Sequence, residues 1–194
     1  MFKVEIGYLN AQQVAASLGA AADQVPYALA LALNRSAEVT RNLLIRQTWP
    51  GAIHARNSSF IAASLTTKES RANKQSLSVE IYDKLGRGNL LMQATGGTRT
   101  PRGANFAIPA SDVPRGPHGV PKRLKPANLT KSFRKNGKLY TRDGKGRLKL
   151  VYTLKPSSRV PKRVPFFQDF EASMRRELQR TIPMAVEKAM RTRR

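Results

Sequence analysis

The residues with the most chemistry to offer are cations. Between Arg99 and Arg163 the chain carries eighteen Lys and Arg and only two acids, Asp112 and Asp143. Guanidinium and ammonium groups at that density suit a polyanion, and a phosphate backbone is the polyanion such side chains track without reading sequence. Phe133, Tyr140 and Tyr152 are interleaved with Arg134, Lys135, Arg142 and Lys149, a mixture that suits single-stranded nucleic acid, whose bases stack on rings while cations follow the backbone. A hairpin in this stretch also needs something to bury. The aromatics are therefore read as hairpin core, and the cations as the functional signal.

A catalytic constellation is harder to assemble. His54 and His118 are the only histidines, there is no cysteine, and no HExxH spacing occurs, so neither reads as a zinc ligand. Gly86-Arg87-Gly88 lacks the third glycine of a dinucleotide turn. Metal-dependent nuclease chemistry needs clustered carboxylates. The nearest pair, Glu80 and Asp83, has an odd spacing that would point the two side chains to opposite faces of a strand, unless Asp83 falls in the following turn. No Gly-x-Ser-x-Gly elbow is present. The expectation is a protein that is not an enzyme, with no catalytic, cofactor-binding or metal residues and no cofactor.

The charge sets the wider frame. Thirty-five Lys and Arg against twelve Asp and Glu leave +23 on 194 residues, a self-repulsion that needs an external counter-charge from nucleic acid, an acidic membrane or an acidic protein. Hydrophobic residues at 40% and charged residues at 24% are those of a globular chain with a real core. Without cysteine there is no disulfide framework. Glu5 interrupts the apolar start, so no secretory signal is read there. The most apolar stretch, Ala28 to Leu33, is far short of the roughly 20 residues that span a bilayer, and no membrane partner is expected.

The elements that would position these groups are legible in outline. Asn10 is expected to cap a short helix through Leu18. Asp23 is expected to cap a long one with Pro26 in its first turn. Val25, Leu29, Leu33, Ser36, Val39, Leu43 and Leu44 mark its apolar face, and Trp49-Pro50-Gly51 ends it. Asn57-Ser58 would cap a short helix from Phe60 to Leu65. Leu77, Val79 and Ile81 alternate with polar residues as a half-buried strand, and Leu90, Leu91 and Ala94 make a further turn or two of helix. Asp143-Gly144-Lys145-Gly146 predicts a hairpin between Leu139–Arg142 and Leu148–Leu154. Phe166, Phe170, Met174, Leu178, Ile182, Val186 and Met190, four apart, predict a terminal helix kinked or split at Pro183. The domain reading is a single α+β domain: residues 1–98 as its helical and strand part, 99–136 as a basic, Pro/Gly-rich extended insert, and 137–194 as the hairpin and C-terminal helix that complete it. The sheet is expected to be small and mostly antiparallel.

The order of these features resembles the minor tail proteins of the lambda Z type, the tail-completion proteins of long-tailed bacteriophages. The resemblance rests on Ala32-Leu33-Asn34-Arg35-Ser36-Ala37 in the long helix, Ala55-Arg56-Asn57 with Phe60, and the strand Leu77-Ser78-Val79-Glu80-Ile81. It continues through Leu91-Met92-Gln93-Ala94-Thr95-Gly96-Gly97, Phe106-Ala107-Ile108-Pro109, Leu150-Val151-Tyr152-Thr153-Leu154 and Val160-Pro161-Lys162-Arg163-Val164-Pro165-Phe166-Phe167. It implies a virion protein made in the host cytoplasm and placed at the neck. There it would form a ring, sixfold, between the tail terminator and the head connector, with packaged DNA passing through its lumen. Arg99, Arg102, Lys122, Arg123, Lys125, Arg134 and Lys135 are the candidate DNA-facing residues, acting by phosphate contacts alone. The other reading of the same charge is a basic nucleic-acid-binding protein, ribosomal-like or nucleoid-associated.

Overall fold

In the computed structural model the described residues are 2–5, 24–55, 57, 59–86 and 90–191. The short helix expected from Asn10 to Leu18, the capping roles of Asp23 and Ser58, and Arg56, Arg193 and Arg194 lie outside them. The elements in chain order are strand β1 (Phe2–Glu5), helix α1 (Val25–Leu43), a π turn (Leu44–Thr48), α2 (Trp49–Ala52), α3 (Ser59–Ser64), β2 (Leu65–Thr66), β3 (Ser78–Asp83) and α4 (Leu90–Thr95). They continue with β4 (Gly97–Arg99), β5 (Phe106–Pro109), two 3-10 turns (Lys122–Leu124 and Pro126–Asn128), β6 (Ser132–Lys135), β7 (Lys138–Arg142), β8 (Leu148–Lys155), β9 (Ser158–Val160) and α5 (Phe166–Arg191). Every sheet is antiparallel, so the protein is α+β with small antiparallel sheets. The chain forms two compact units, residues 1–54, 58–94 and 163–194 in one and residues 55–57 and 95–162 in the other.

The first unit is organised by α1 against α5. Their contact is built from small residues at a spacing of four, which keeps them on one ridge of each helix. Ala28 and Ala32 pack with Ala185, Val186 and Ala189. Further along, Ser36 meets Thr181 at 2.9 Å and Thr40 meets Ser173 at 2.9 Å, all four buried. The Thr181 hydroxyl donates to the Glu177 carbonyl (2.7 Å), so its one proton is committed and the Ser36 hydroxyl is the donor across the seam. At the far end Thr48 donates to the Asp169 carboxylate (2.5 Å). Buried Glu177 is held by Arg180 at 2.8 Å and Arg176 at 3.4 Å, both on its own helix.

This corrects the stripe read from the sequence. Phe166, Phe170, Met174 and Val186 are buried as expected, whereas Leu178, Ile182 and Met190 are half-buried. A step of four residues advances about 40° beyond a full turn, so a stripe kept strictly four apart winds off the contact. The buried line instead shifts through Ser173, Glu177, Thr181, Ala185 and Ala189. On α1, Val25, Leu29, Leu33 and Ser36 are buried as expected, Val39 and Leu43 are half-buried, and Ala28, Ala32, Ser36 and Thr40 take the contact. Pro183 neither splits nor ends α5, which runs through it. Pro183 is on the exposed side, where solvent can satisfy the carbonyl that its missing N–H leaves. The helical run that α1 begins ends at Ala52, where Trp49-Pro50-Gly51 is expected to stop it, but it gets there through a π turn in which the Trp49 N–H reaches back to the Leu44 carbonyl before α2 crosses Pro50.

Around this pair the remaining elements are tied by specific polar bonds. The Asn34 side-chain amide donates to the Ala72 carbonyl and accepts from the Ala72 N–H, both at 2.9 Å, imitating a strand ladder. The Arg41 guanidinium binds the Leu65 and Ala62 carbonyls (2.6 and 2.9 Å), satisfying the end of α3. The three-stranded sheet has the order β1-β3-β2, and Leu77, Val79 and Ile81 are buried as their alternation predicts. Trp49 stacks on Phe166 at 6.0 Å and packs on Phe60 at 6.2 Å.

The second unit holds a two-stranded ladder, β4-β9, and a four-stranded sheet of order β5-β8-β7-β6. Residues 99–136, expected to be an extended insert, supply β5, both 3-10 turns and β6. The predicted hairpin is present as β7–β8, but it pairs with β5 and β6 within this unit rather than completing the α1–α5 unit. Its turn is organised by the Asp143 carboxylate, which accepts the N–H groups of Lys145 and Arg147 at 2.8 and 2.9 Å. The β6–β7 turn is Asn136-Gly137, both at positive φ (48° and 69°), the conformation a two-residue hairpin turn requires.

If the small-residue ridge is what lets α1 and α5 approach, Ala28→Leu is expected to destabilise the protein by about 1–3 kcal/mol through overpacking. Asn42→Leu, on the exposed side of the same helix, is expected to stay within about 0.5 kcal/mol. Urea denaturation midpoints of the two variants compare them directly, and equal midpoints would rule out a close α1–α5 contact at Ala28.

Candidate nucleic-acid interface

Residues 95–162 carry seventeen Lys and Arg against Asp112 and Asp143, leaving +15. Both acids are occupied locally. Asp112 accepts the Ser111 hydroxyl at 2.9 Å, and Asp143 holds its own turn, with Arg147 at 4.0 Å as an exposed ion pair. An exposed pair at that distance neutralises little. Some cations are structural: Arg115 donates to the Pro109 and Ala110 carbonyls at 2.6 and 3.2 Å, and Arg142 to the Gly146 carbonyl at 3.0 Å.

The four-stranded sheet sorts the rest. One face carries Ala107, Leu139 and Tyr152 and is covered by the excursion between β5 and β6, which contributes Ala110, Val113, Val120 and Leu129 to a small core. The Tyr152 hydroxyl donates to the Leu124 carbonyl at 2.7 Å, anchoring the excursion. Burial pushes the Tyr152 phenol above its ordinary pKa, opposed by the Arg115 guanidinium nearby, so the hydroxyl stays a donor. The two 3-10 turns are pinned by Asn128, whose amide donates to the Lys122 carbonyl at 2.6 Å. Lys122, Arg123 and Lys125 are therefore presented on an ordered backbone, exposed, with no paired carboxylate among the described residues.

The seven candidate residues are all exposed, but they do not form one surface. Lys122, Arg123 and Lys125 cluster on the turns over the covered face. Arg134, paired with Leu139, lies on that same face of edge strand β6, and its guanidinium sits 2.9 Å from the Asn105 side-chain amide. Lys135, next along, points to the opposite face. Arg99 ends β4 with its guanidinium 5.4 Å over the Phe106 ring, and Arg102 lies in the turn that follows.

The opposite face of the sheet is open. Strand alternation places Phe106 and Ile108 of β5, Leu148, Leu150 and Thr153 of β8, Lys138, Tyr140 and Arg142 of β7, and Phe133 and Lys135 of β6 there. Ile108 is 38% exposed, Phe133 37% and Leu148 56%. Phe133 and Tyr140 are direct cross-strand partners with rings stacked at 5.6 Å. The expectation that the hairpin aromatics are core thus divides. Tyr152 is core; Phe133 and Tyr140 are on the other side. The sequence reading missed Phe106, Lys138 and Leu150 as members of this face. Asn136-Gly137 was the signal that would have set the register and found them.

Elsewhere, His54 and His118 are exposed, and Asp83 accepts the N–H groups of Leu85 and Gly86 in the turn after β3. Among the described residues no group of three or more His, Asp or Glu could hold a metal ion, and no helix is long and apolar enough to cross a membrane. In the first unit, grooves of about 400 and 560 Å³ are each lined by a single carboxylate, Glu38 and Asp169 respectively, and by no histidine. The chain matches no family model, no curated protein and no solved structure.

Cations on an ordered turn, without base-edge readers around them, bind phosphate irrespective of sequence. The protein is expected to bind random duplex DNA at low salt and release it as salt rises. Replacing Lys122, Arg123 and Lys125 together by Ala is expected to flatten the log–log salt dependence by up to about three units. An unchanged slope would show that these three cations do not meet phosphate.

Proposed function

We propose that the chain is a structural virion protein, without a catalytic role, that completes the tail of a long-tailed bacteriophage and joins it to the head. In this reading it forms a ring, sixfold, at the neck, between the tail terminator and the head connector, and DNA occupies the channel. The observation that carries the proposal is the concentration of +15 on residues 95–162, with both local acids spent in turns. A channel holding DNA supplies the counter-charge this surface lacks, and phosphate contacts suit a joint that must accept any sequence. The resemblance to lambda Z-type proteins, which spans most of the chain as a series of short motifs, supplies the assembly step.

The second reading, a ribosomal-like or nucleoid-associated nucleic-acid-binding protein, draws on the same cations and is favoured by the open aromatic face of the sheet. The two differ in what loss of the protein does. For a tail-completion protein, a lysate of the deletion mutant is expected to show filled heads and full-length tails lying separate in electron micrographs. Missing tails or empty heads would contradict the neck assignment.

A further inference from the structure

We propose that the open face of the four-stranded sheet is a platform for single-stranded nucleic acid. Bases stack on the side of the Phe106 ring away from the Arg99 guanidinium and on the outer faces of the Phe133–Tyr140 pair, and phosphates are held by Lys135, Lys138 and Lys155. This site is separate from the turn cations that the neck proposal uses, and it does not depend on that proposal.

The case begins with what the face is not. A sheet face in a unit with so small a core would ordinarily be buried or polar. This one keeps Ile108, Phe133 and Leu148 more than a third exposed, and its covering excursion lies on the other side. The apolar residues are flanked by cations from the same strands. Lys135 and Lys138 close the β6–β7 hairpin, Arg142 pairs with Leu148, and Lys155 pairs with Phe106. Rings among cations with no carboxylate on the same face match a ligand that is both polyanionic and rich in flat π surfaces. That is nucleic acid with unpaired bases.

Spacing agrees. Phe106 lies two strands from Tyr140 across the sheet and about five residues away along β8. With strands about 4.8 Å apart and residues about 3.3 Å apart, the two aromatic spots are about 19 Å apart along a diagonal. Between them sit Lys138, Thr153 and Ile108, aligned across three strands. A chain crossing this diagonal can set bases on rings at both ends with backbone over Lys138, as four-stranded sheets with exposed aromatics do for two or three bases. Duplex DNA cannot use the rings, because its base faces are already stacked. The face therefore discriminates by strandedness, which the turn cations cannot.

The test uses the full-length protein, a fluorescein-labelled oligothymidylate of about twelve nucleotides, a length such platforms can hold, and a duplex of equal length, followed by anisotropy at fixed salt. Phe133→Leu keeps apolar volume beside Tyr140 and removes a π face. It is expected to weaken oligothymidylate binding roughly tenfold and to leave duplex affinity unchanged. Phe106→Leu, at the other end of the diagonal, is expected to do the same and decides the matter if Phe133→Leu lowers the melting temperature. Unchanged oligothymidylate affinity in both variants, or an equal loss for duplex, would overturn the proposal. So would binding to anionic phospholipid vesicles that falls with these substitutions while oligothymidylate binding does not, since the face would then be a membrane contact. Failure of the duplex salt dependence at Lys122, Arg123 and Lys125 would leave this result untouched, so the two proposals fail separately.

Discussion

Positive charge without internal counter-charge is the constraint under which residues 95–162 fold. Seventeen cations share this stretch with two carboxylates, and each carboxylate is bound to its own turn rather than to a distant cation. Self-repulsion of that kind destabilises a compact state. The backbone answers it with local order: a two-residue Asn-Gly turn, a carboxylate-organised turn, and an excursion fastened by the Tyr152 hydroxyl and the Asn128 amide. None of these devices removes charge. They hold the cations at fixed places on the surface, which is the condition for meeting a polyanion without a large ordering cost at the moment of binding.

The other unit solves a different problem. Two long helices meet along residues too small to offer much apolar area each, so closeness has to do the work that bulk does elsewhere. Ala28, Ala32, Ala185 and Ala189 let the backbones approach. Hydroxyls from Ser36, Thr40, Ser173 and Thr181 satisfy one another where the seam turns polar. A seam of reciprocal hydroxyls fixes the register between the helices more sharply than an apolar contact would, because a slip leaves buried hydroxyls unpaired. Asn34 and Arg41, from the same helix, then position the segments around Ala72 and the end of α3. The charge-bearing and the scaffold-like roles are thus carried by different parts of the chain.

Much of this was legible in the residues. The long helix, the strand at Leu77 to Ile81, the Asp143 hairpin and the terminal helix follow from periodicity and turn chemistry, which act locally. The seam did not show, because Ser, Thr and Glu at buried positions look like a solvated face until a partner of matching spacing is known. The division of residues 95–162 into a unit of its own was hidden by prolines and glycines, which read as an extended insert but instead terminate short strands. The candidate cations were visible as a density of charge. Their separation was not, because Arg134 and Lys135 fall on opposite faces of a strand whose register Asn136-Gly137 sets, while Arg99 belongs to β4 and not to that sheet.

Amide hydrogen exchange of the full-length protein, with and without random-sequence duplex DNA at low salt, tests most directly whether the charge of residues 95–162 meets phosphate. Exchange is expected to slow across the 3-10 turns at residues 121–128 when DNA is added and to stay unchanged in α1 and α5. Exchange that slows only in the helices, or is unaltered throughout residues 95–162, would contradict the assignment of this unit to nucleic acid.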